Sequence, residues 1–195
     1  SIQLIEFGDD PLVLEAVGLT LPIPVGAASE QTRVGDRSSV KIADAKRTWQ
    51  VNIQTTRSAS ADATAGSVLE EVVISLFTSS GQVYDATPGA AKLIAYKALI
   101  VDPMTAVKTA GGVDAQRMYV RLPPEDSKKH TALIRGYLVI QSGEKQFISF
   151  EFITPEAEFT RTRKIFEAML AAATVEDATL VNAQRQVAIG AGQKV

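Results

Sequence analysis

The sequence predicts an α+β protein in which an antiparallel sheet is sandwiched between helices, an α/β/α arrangement. Three observations predict it: an apolar hairpin over residues 132–153, an amphipathic helix directly after it, and strands that follow one another without helices. Such strands pair antiparallel because no crossover segment separates them. The hairpin places apolar residues on both faces of the sheet, so we expect a helical layer on each side.

The N-terminal third reads as short extended segments. Residues 2–7 and 12–17 are predicted strands separated by the turn signal Asp9-Asp10-Pro11. Residues 18–24 are predicted to form an edge or terminal strand, because the prolines of this segment have no backbone N–H to donate to a neighbouring strand. Residues 39–43 form another short strand.

The strongest alternation lies in residues 47–55, where Trp49, Val51 and Ile53 alternate with amide side chains. This pattern predicts a strand with one buried and one solvent-exposed face. Residues 62–79 have apolar side chains at helical spacing and form the first long helix, ended by Gly81.

The second half contains three further strands, over residues 92–101, 116–122 and 132–141. A turn at 142–145 joins the last of these to a strand over 146–153, which leads into the second helix. Thr154 is the expected helix cap, with Pro155 next and acidic residues in the first turn. The helix buries one apolar stripe, formed by Phe159, Phe166, Met169, Leu170 and Ala173.

Length and composition predict one domain over residues 1–174, followed by a helical appendage over 175–195. Twenty basic and 22 acidic residues give a net charge of −2, which does not favour a nucleic-acid partner. The chain has no cysteine, which excludes disulfides and thiolate chemistry, and no apolar run long enough to span a membrane.

No motif in the chain requires a reaction, so we expect no catalytic residue, no metal and no cofactor. His130 is the only histidine, which rules out a two-histidine metal motif, and its polar neighbours are typical of a surface loop. The acidic pairs Glu70-Glu71 and Glu125-Asp126 are interpreted as solvated. The paired glycines at 111–112 do not extend into a phosphate-binding pattern.

A binding site is the remaining candidate, and we assign it to Tyr119, Arg135 and Tyr137 in a pocket between sheet and helix. Tyrosine and arginine are common anchors of binding surfaces, although tyrosines in sheets are more often core residues. Arg135 interrupts an apolar strand, so it reaches a sheet edge, pairs with an acid or contacts a ligand. Pairing with an acid is the favoured interpretation.

Over residues 17–172 the chain resembles the PsbP-like fold family, which includes the Ran-binding nuclear-import factor and bacterial proteins of unassigned role. The segments that carry the resemblance are Gly18-Leu19-Thr20-Leu21-Pro22, Val68-Leu69-Glu70-Glu71, Arg135-Gly136-Tyr137, Phe147-Ile148-Ser149, Pro155-Glu156 and Phe166-Glu167-Ala168-Met169-Leu170. The resemblance implies an antiparallel sheet between helical layers and a non-enzymatic role. No catalytic residue of the family exists to be carried over.

We therefore expect a binding or accessory domain of bacterial type whose partner is a protein. The alternative is a carrier of a lipophilic or anionic small molecule in the pocket between sheet and helix. A homodimer through the C-terminal segment is a further expectation. The chain begins at Ser1 without an initiator methionine, and an exported or periplasmic location is favoured over a cytoplasmic one.

Overall fold

The computed structural model describes residues 4–35, 37–79, 99–122 and 131–176. Within them lie ten strands and two α-helices. In chain order these are β1 (Leu12–Leu14), β2 (Leu19–Leu21), β3 (Ala27–Val34), β4 (Arg37–Asp44), β5 (Gln50–Arg57), α1 (Ala65–Ser79), β6 (Ile100–Lys108), β7 (Asp114–Leu122), β8 (Leu133–Gly143), β9 (Gln146–Pro155), α2 (Phe159–Ala172) and β10 (Thr174–Val175).

Seven of the strands form one antiparallel sheet in the order β3-β4-β5-β9-β8-β7-β6. The hairpin predicted over 132–153 is its centre, and Glu144-Lys145 form the turn between β8 and β9. Lys145 adopts a left-handed conformation (φ 57°), and the pairing beside the turn has a register irregularity between Gln141 and Gly143. The expected antiparallel pairing is confirmed.

The two helices cover opposite faces of this sheet, which confirms the predicted α+β fold. On one face, α1 buries Leu69, Val73 and Phe77 against side chains of β7, β8 and β9. On the other face, α2 buries Phe166, Met169 and Leu170, as the apolar stripe predicted. Strand β8 contributes to both layers, with Ile134, Leu138 and Ile140 in one and Tyr137 and Val139 in the other.

A small three-stranded sheet, ordered β1-β2-β10, joins the core on the α2 side. Its centre is β2, the segment predicted as an edge or terminal strand, and Leu19 and Leu21 are fully buried there. Val175 pairs with Leu19 and is buried. Val175, the first residue of the expected helical appendage, is thus a strand residue, and the appendage from 177 onward lies outside the described residues.

Strand β5 matches the predicted alternation: Val51 and Ile53 are fully buried, while Asn52 is half-buried and Gln54 is exposed. Two strand segments were not predicted, namely β3 and most of β6. Strand β3 is exposed at every residue after Ala27, so its sequence does not show the alternation of apolar and polar residues by which a strand is predicted. Its extended form comes from regular pairing with β4.

Thr154 is not the helix cap that the sequence predicts. It lies inside β9, and its buried hydroxyl is 2.9 Å from both the Thr48 carbonyl oxygen and Thr162 Oγ1. A 3₁₀ turn over Glu156–Glu158 precedes α2 and has no side-chain cap. The hydroxyl instead joins β9 to α2 and to the loop before β5.

Several predicted features fall outside the described residues. They are His130, the acidic pair Glu125-Asp126, Gly81 and the predicted strand from 92 to 98.

Candidate functional site

The three residues assigned to a pocket lie on two different faces of the sheet. In the register between β7 and β8, Tyr119 is opposite Gly136 and Met118 is opposite Tyr137. Because residues opposite each other share a face, Tyr119 lies on the α2 face, whereas Arg135 and Tyr137 lie on the α1 face. The structure brings Arg135 and Tyr137 together and separates Tyr119 from them.

On the α1 face, Glu151 of β9 is the centre of a polar network. Its Oε2 accepts a hydrogen bond from the Tyr137 hydroxyl (2.9 Å) and one from Arg135 Nη1 (3.3 Å). Its Oε1 accepts from Asn52 Nδ2 (3.1 Å), and Asn52 Oδ1 accepts from Gln50 Nε2 (2.9 Å). Arg135 therefore pairs with an acid, as expected, and the network spans three adjacent strands, β5, β9 and β8.

Burial and the negative charge of Glu151 raise the pKa of Tyr137 well above the usual tyrosine range. The phenol is therefore a permanent donor to Glu151 at neutral pH. Arg135 and Glu151 retain about a quarter of their side-chain surface, at 25% and 29% exposed. Arg135 Nε is buried without a hydrogen-bond partner among the described residues.

A cleft of about 530 Å³ lies beside this network, between α1 and the open half of the sheet. Its floor carries polar groups of β5, β8 and β9, and its wall is formed by α1. Its lining includes Asn52, Gln54, Tyr137, Ser149 and Glu151 from the strands and Val68, Glu71, Val72 and Ser75 from α1. Ser149 Oγ is buried there without a hydrogen-bond partner among the described residues.

Sequence reasoning missed Asn52, Ser149 and Glu151 as site residues. A signal was present, because Ser149 and Glu151 alternate with the buried Phe150 and Phe152 along β9. That alternation predicts a polar face on β9 as it does on β5, and the pairing of the two strands joins the faces: Asn52 lies opposite Glu151.

On the α2 face, Tyr119 belongs to a second network centred on Glu167 of α2. Glu167 Oε1 accepts from the Tyr119 hydroxyl (2.9 Å) and from Arg163 Nε (2.8 Å), and it lies 3.3 Å from Arg117 Nη1. Arg163 Nη2 also donates to Asp102 of β6 (2.5 Å). The network ties α2 to β6 and β7, and its two arginines balance its two acids.

The Tyr119 ring is enclosed on several sides. The guanidinium carbon of Arg163 lies 4.7 Å from the ring centroid and that of Arg117 lies 5.5 Å away. Phe159 and Phe166 meet the ring edge to face, at 5.2 and 6.3 Å between centroids. Tyr119 has no exposed surface, so this network serves packing between α2 and the sheet.

Several other aromatic and charged residues occupy ordinary structural positions. Trp49 is buried in the core on the α2 side, and Arg121 forms a two-point ion pair with Glu156. Asp9 and Asp10 are exposed. Across residues 4–35, 37–79, 99–122 and 131–176, the structure contains no cluster of three or more histidine, aspartate or glutamate side chains suited to a metal ion.

Neither described helix has the length and apolar character needed to cross a lipid bilayer.

No family model and no curated protein matches the sequence. Solved structures do match. The cyanobacterial PsbP (CyanoP) of Synechocystis sp. PCC 6803 superposes with a TM-score of 0.57 at 12% identity, covering 85% of this chain and 91% of that one. The Ran-binding protein Mog1p of Saccharomyces cerevisiae gives a TM-score of 0.51 at 10% identity, covering 90% and 99%. The expected PsbP-like fold is confirmed, and at these identities the likeness shows the fold alone.

Proposed function

We propose that this chain is a non-enzymatic binding or accessory domain that recognises a protein partner on the α1 side of its sheet. The observation that carries the proposal is the polar sheet face beside the cleft. In the described part of the chain, α1 packs on β7 and β8, while β5 and β9 present amides, a hydroxyl and a carboxylate next to it.

Protein interfaces typically contain about one hydrogen bond per 100–200 Å² of buried area. Strands β5 and β9 offer polar groups for such bonds in Asn52, Gln54 and Glu151. The ionisable groups of the two networks, by contrast, are paired with each other. This pairing suits a scaffold that holds a recognition surface more than a site of proton transfer.

The likeness to CyanoP and to the Ran-binding Mog1p supports a fold used for binding, with no transfer of their partners to this chain. We include an exported or periplasmic location in the proposal. The precursor sequence in the source genome tests that part, since an N-terminal secretory signal would support it and a cytoplasmic start would contradict it.

The test is affinity capture from an extract of the source organism, with chemical crosslinking and quantitative mass spectrometry. The full chain is compared with Gln54→Arg, which places a bulky charge on the exposed part of the proposed surface. Lys164→Ser, at an exposed position of α2, is the matched control. We expect a stoichiometric partner that Gln54→Arg loses and Lys164→Ser retains. Equal recovery with both variants would contradict the proposed surface.

A small-molecule carrier is the second candidate, and the unpartnered Ser149 Oγ in the cleft is the observation that favours it. The apolar wall of Val68 and Val72 suits a lipophilic ligand with one polar group, and Arg57 in the same lining is the cation available to an anionic one. A thermal-shift screen of lipids, pigments and anionic metabolites tests it, because a ligand of the native state raises Tm by mass action. Ser149→Leu, which fills the cleft, should abolish that shift; a shift that persists would place the ligand elsewhere.

A further inference from the structure

The two edges of the main sheet differ in how they are protected against further strand pairing. At one edge, β6 contains Pro103 and two register irregularities, and Asp102 is held by Arg163 of α2. At the other edge, β3 pairs with β4 over eight consecutive residues without a proline or a bulge. An edge of that length and regularity is a template for another strand unless something prevents pairing.

The free side of β3 can be identified from the ladder. Ala45 N donates to Gly26 O, so hydrogen-bonded pairs with β4 recur at every second residue from Gly26 onward. The backbone groups of Ser29, Gln31 and Arg33 therefore point away from β4. In the described part of the chain, no strand pairs with them.

We propose that β3 pairs antiparallel with β3 of a second copy of this chain, with Gln31 of each copy at the two-fold axis. The resulting dimer joins two sheets into one continuous sheet. Because the axis is perpendicular to the sheet, the clefts of both copies face the same side. This inference is independent of the proposed partner.

The side chains of β3 select this register from the alternatives. A register centred on Gln31 places Ser29 opposite Arg33 and Glu30 opposite Thr32, so no charge meets its like. It also pairs Ala28 with Val34, a valine that is 74% exposed in the single chain. Centring on Arg33 would oppose two arginines, and centring on Ser29 would move the pairing towards Gly26, which has a left-handed φ of 87°.

The dimer should be weak. One strand pair buries less than the roughly 1,200 Å² of a standard interface, so association should depend on concentration. Sedimentation velocity of the full chain over a wide concentration range is the direct measurement. We expect a monomer–dimer equilibrium, whereas a monomer at every concentration would overturn the proposal.

Gln31→Pro removes an N–H that β4 does not use and should weaken the dimer about tenfold or more. Gln31→Thr keeps the N–H and suits a strand, so it should leave the dimer intact. Circular dichroism and Tm establish that both variants fold. A dimer unaffected by Gln31→Pro would place the contact elsewhere, for instance in residues 175–195, and would overturn the proposal.

A crosslinking measurement keeps the proposal testable if Gln31→Pro fails to fold. The chain has no cysteine, so Gln31→Cys introduces a single thiol that lies beside its own copy at the axis. A short bismaleimide should convert it to a covalent dimer. Val101→Cys, exposed on the opposite edge, is the control and should remain monomeric. Equal crosslinking of the two variants, or of neither, would contradict the β3 contact.

Discussion

Gly136 of β8 lies directly under the ring of Tyr119 on β7. A Cβ built on Gly136 would lie 2.6 Å from Tyr119 Cε1 and 2.9 Å from Cδ1, closer than side chains approach. The missing side chain thus leaves the space that the edge of the Tyr119 ring occupies. From there the hydroxyl reaches Glu167 on α2.

Gly136→Ala should therefore destabilise the fold by about 1–3 kcal/mol, because the buried ring has to move out of its packed position. Chemical denaturation measures the change in the free energy of unfolding. Gly66→Ala is the matched control in α1, where a Cβ would meet Met104 Sδ at an ordinary 3.5 Å. That control should be neutral or stabilising by up to about 1 kcal/mol, since glycine is a poor helix former. Equal effects of both substitutions would contradict the account of Gly136.

Tyr119 and Tyr137 should both ionise later than an ordinary tyrosine. Burial first, and the neighbouring Glu167 and Glu151 next, raise the pKa of the two phenols. The folded chain therefore keeps protons that the unfolded chain releases above about pH 10. The free energy of unfolding should fall as pH rises beyond that value, and should be unaffected by these groups below it.

Ultraviolet absorbance of tyrosinate, recorded during an alkaline titration, measures this behaviour. The double variant Tyr119→Phe, Tyr137→Phe should lack the late-ionising phase and lose less stability above about pH 10. If the wild-type phenols all ionise near the ordinary value while the chain is still folded, the two tyrosines are not shielded as described.

Glu151→Gln should destabilise the chain by about 1–3 kcal/mol, because it leaves the partly buried Arg135 without its charged partner. Arg135→Met removes the positive charge that Glu151 neutralises, so a neutral residue at 151 no longer leaves an unpaired arginine. We expect the double variant Arg135→Met, Glu151→Gln to be more stable than Glu151→Gln alone, as measured by urea unfolding. Additive losses would show that the two side chains do not interact energetically.

Glu156 should titrate below an ordinary glutamate. Its hydrogen bond to Arg121, with 2.8 Å between Nε and Oε1, lowers the pKa of its carboxyl group. The stabilising effect of the pair is present above the usual glutamate pKa and is lost as pH falls. In Arg121→Gln, carboxyl-carbon NMR should show the pKa of Glu156 rising to its usual range. Arg161→Gln, which breaks a different ion pair on α2, should leave Glu156 unchanged.

The sequence predicted what side-chain periodicity encodes and missed what pairing between strands decides. Arg135 and Tyr137 are two residues apart on one strand, so their shared face follows from the alternation alone. The position of Tyr119 depends on the register between β7 and β8, which no pattern within either strand specifies. Its neighbours Met118 and Val120 are also apolar and buried, so the alternation along β7 does not indicate which face Tyr119 occupies.

The same distinction explains the miss at Thr154. A threonine before proline and two acids is a good local cap, but the hydroxyl is buried and bonds to Thr48, more than a hundred residues away in sequence. Strand β3 is a strand that local sequence does not predict. Its polar residues are extended because their backbone pairs with β4.

The two-sided packing of β8 has a consequence for how the protein unfolds. Its odd-numbered and even-numbered residues anchor different helices, so detaching either helix exposes apolar surface on a strand that the other still covers. The two layers should therefore melt in a single cooperative transition. The amide protons of β8 should exchange with solvent only at the rate of global opening, whereas those of Ser29, Gln31 and Arg33, which point away from β4, should exchange rapidly in the monomer.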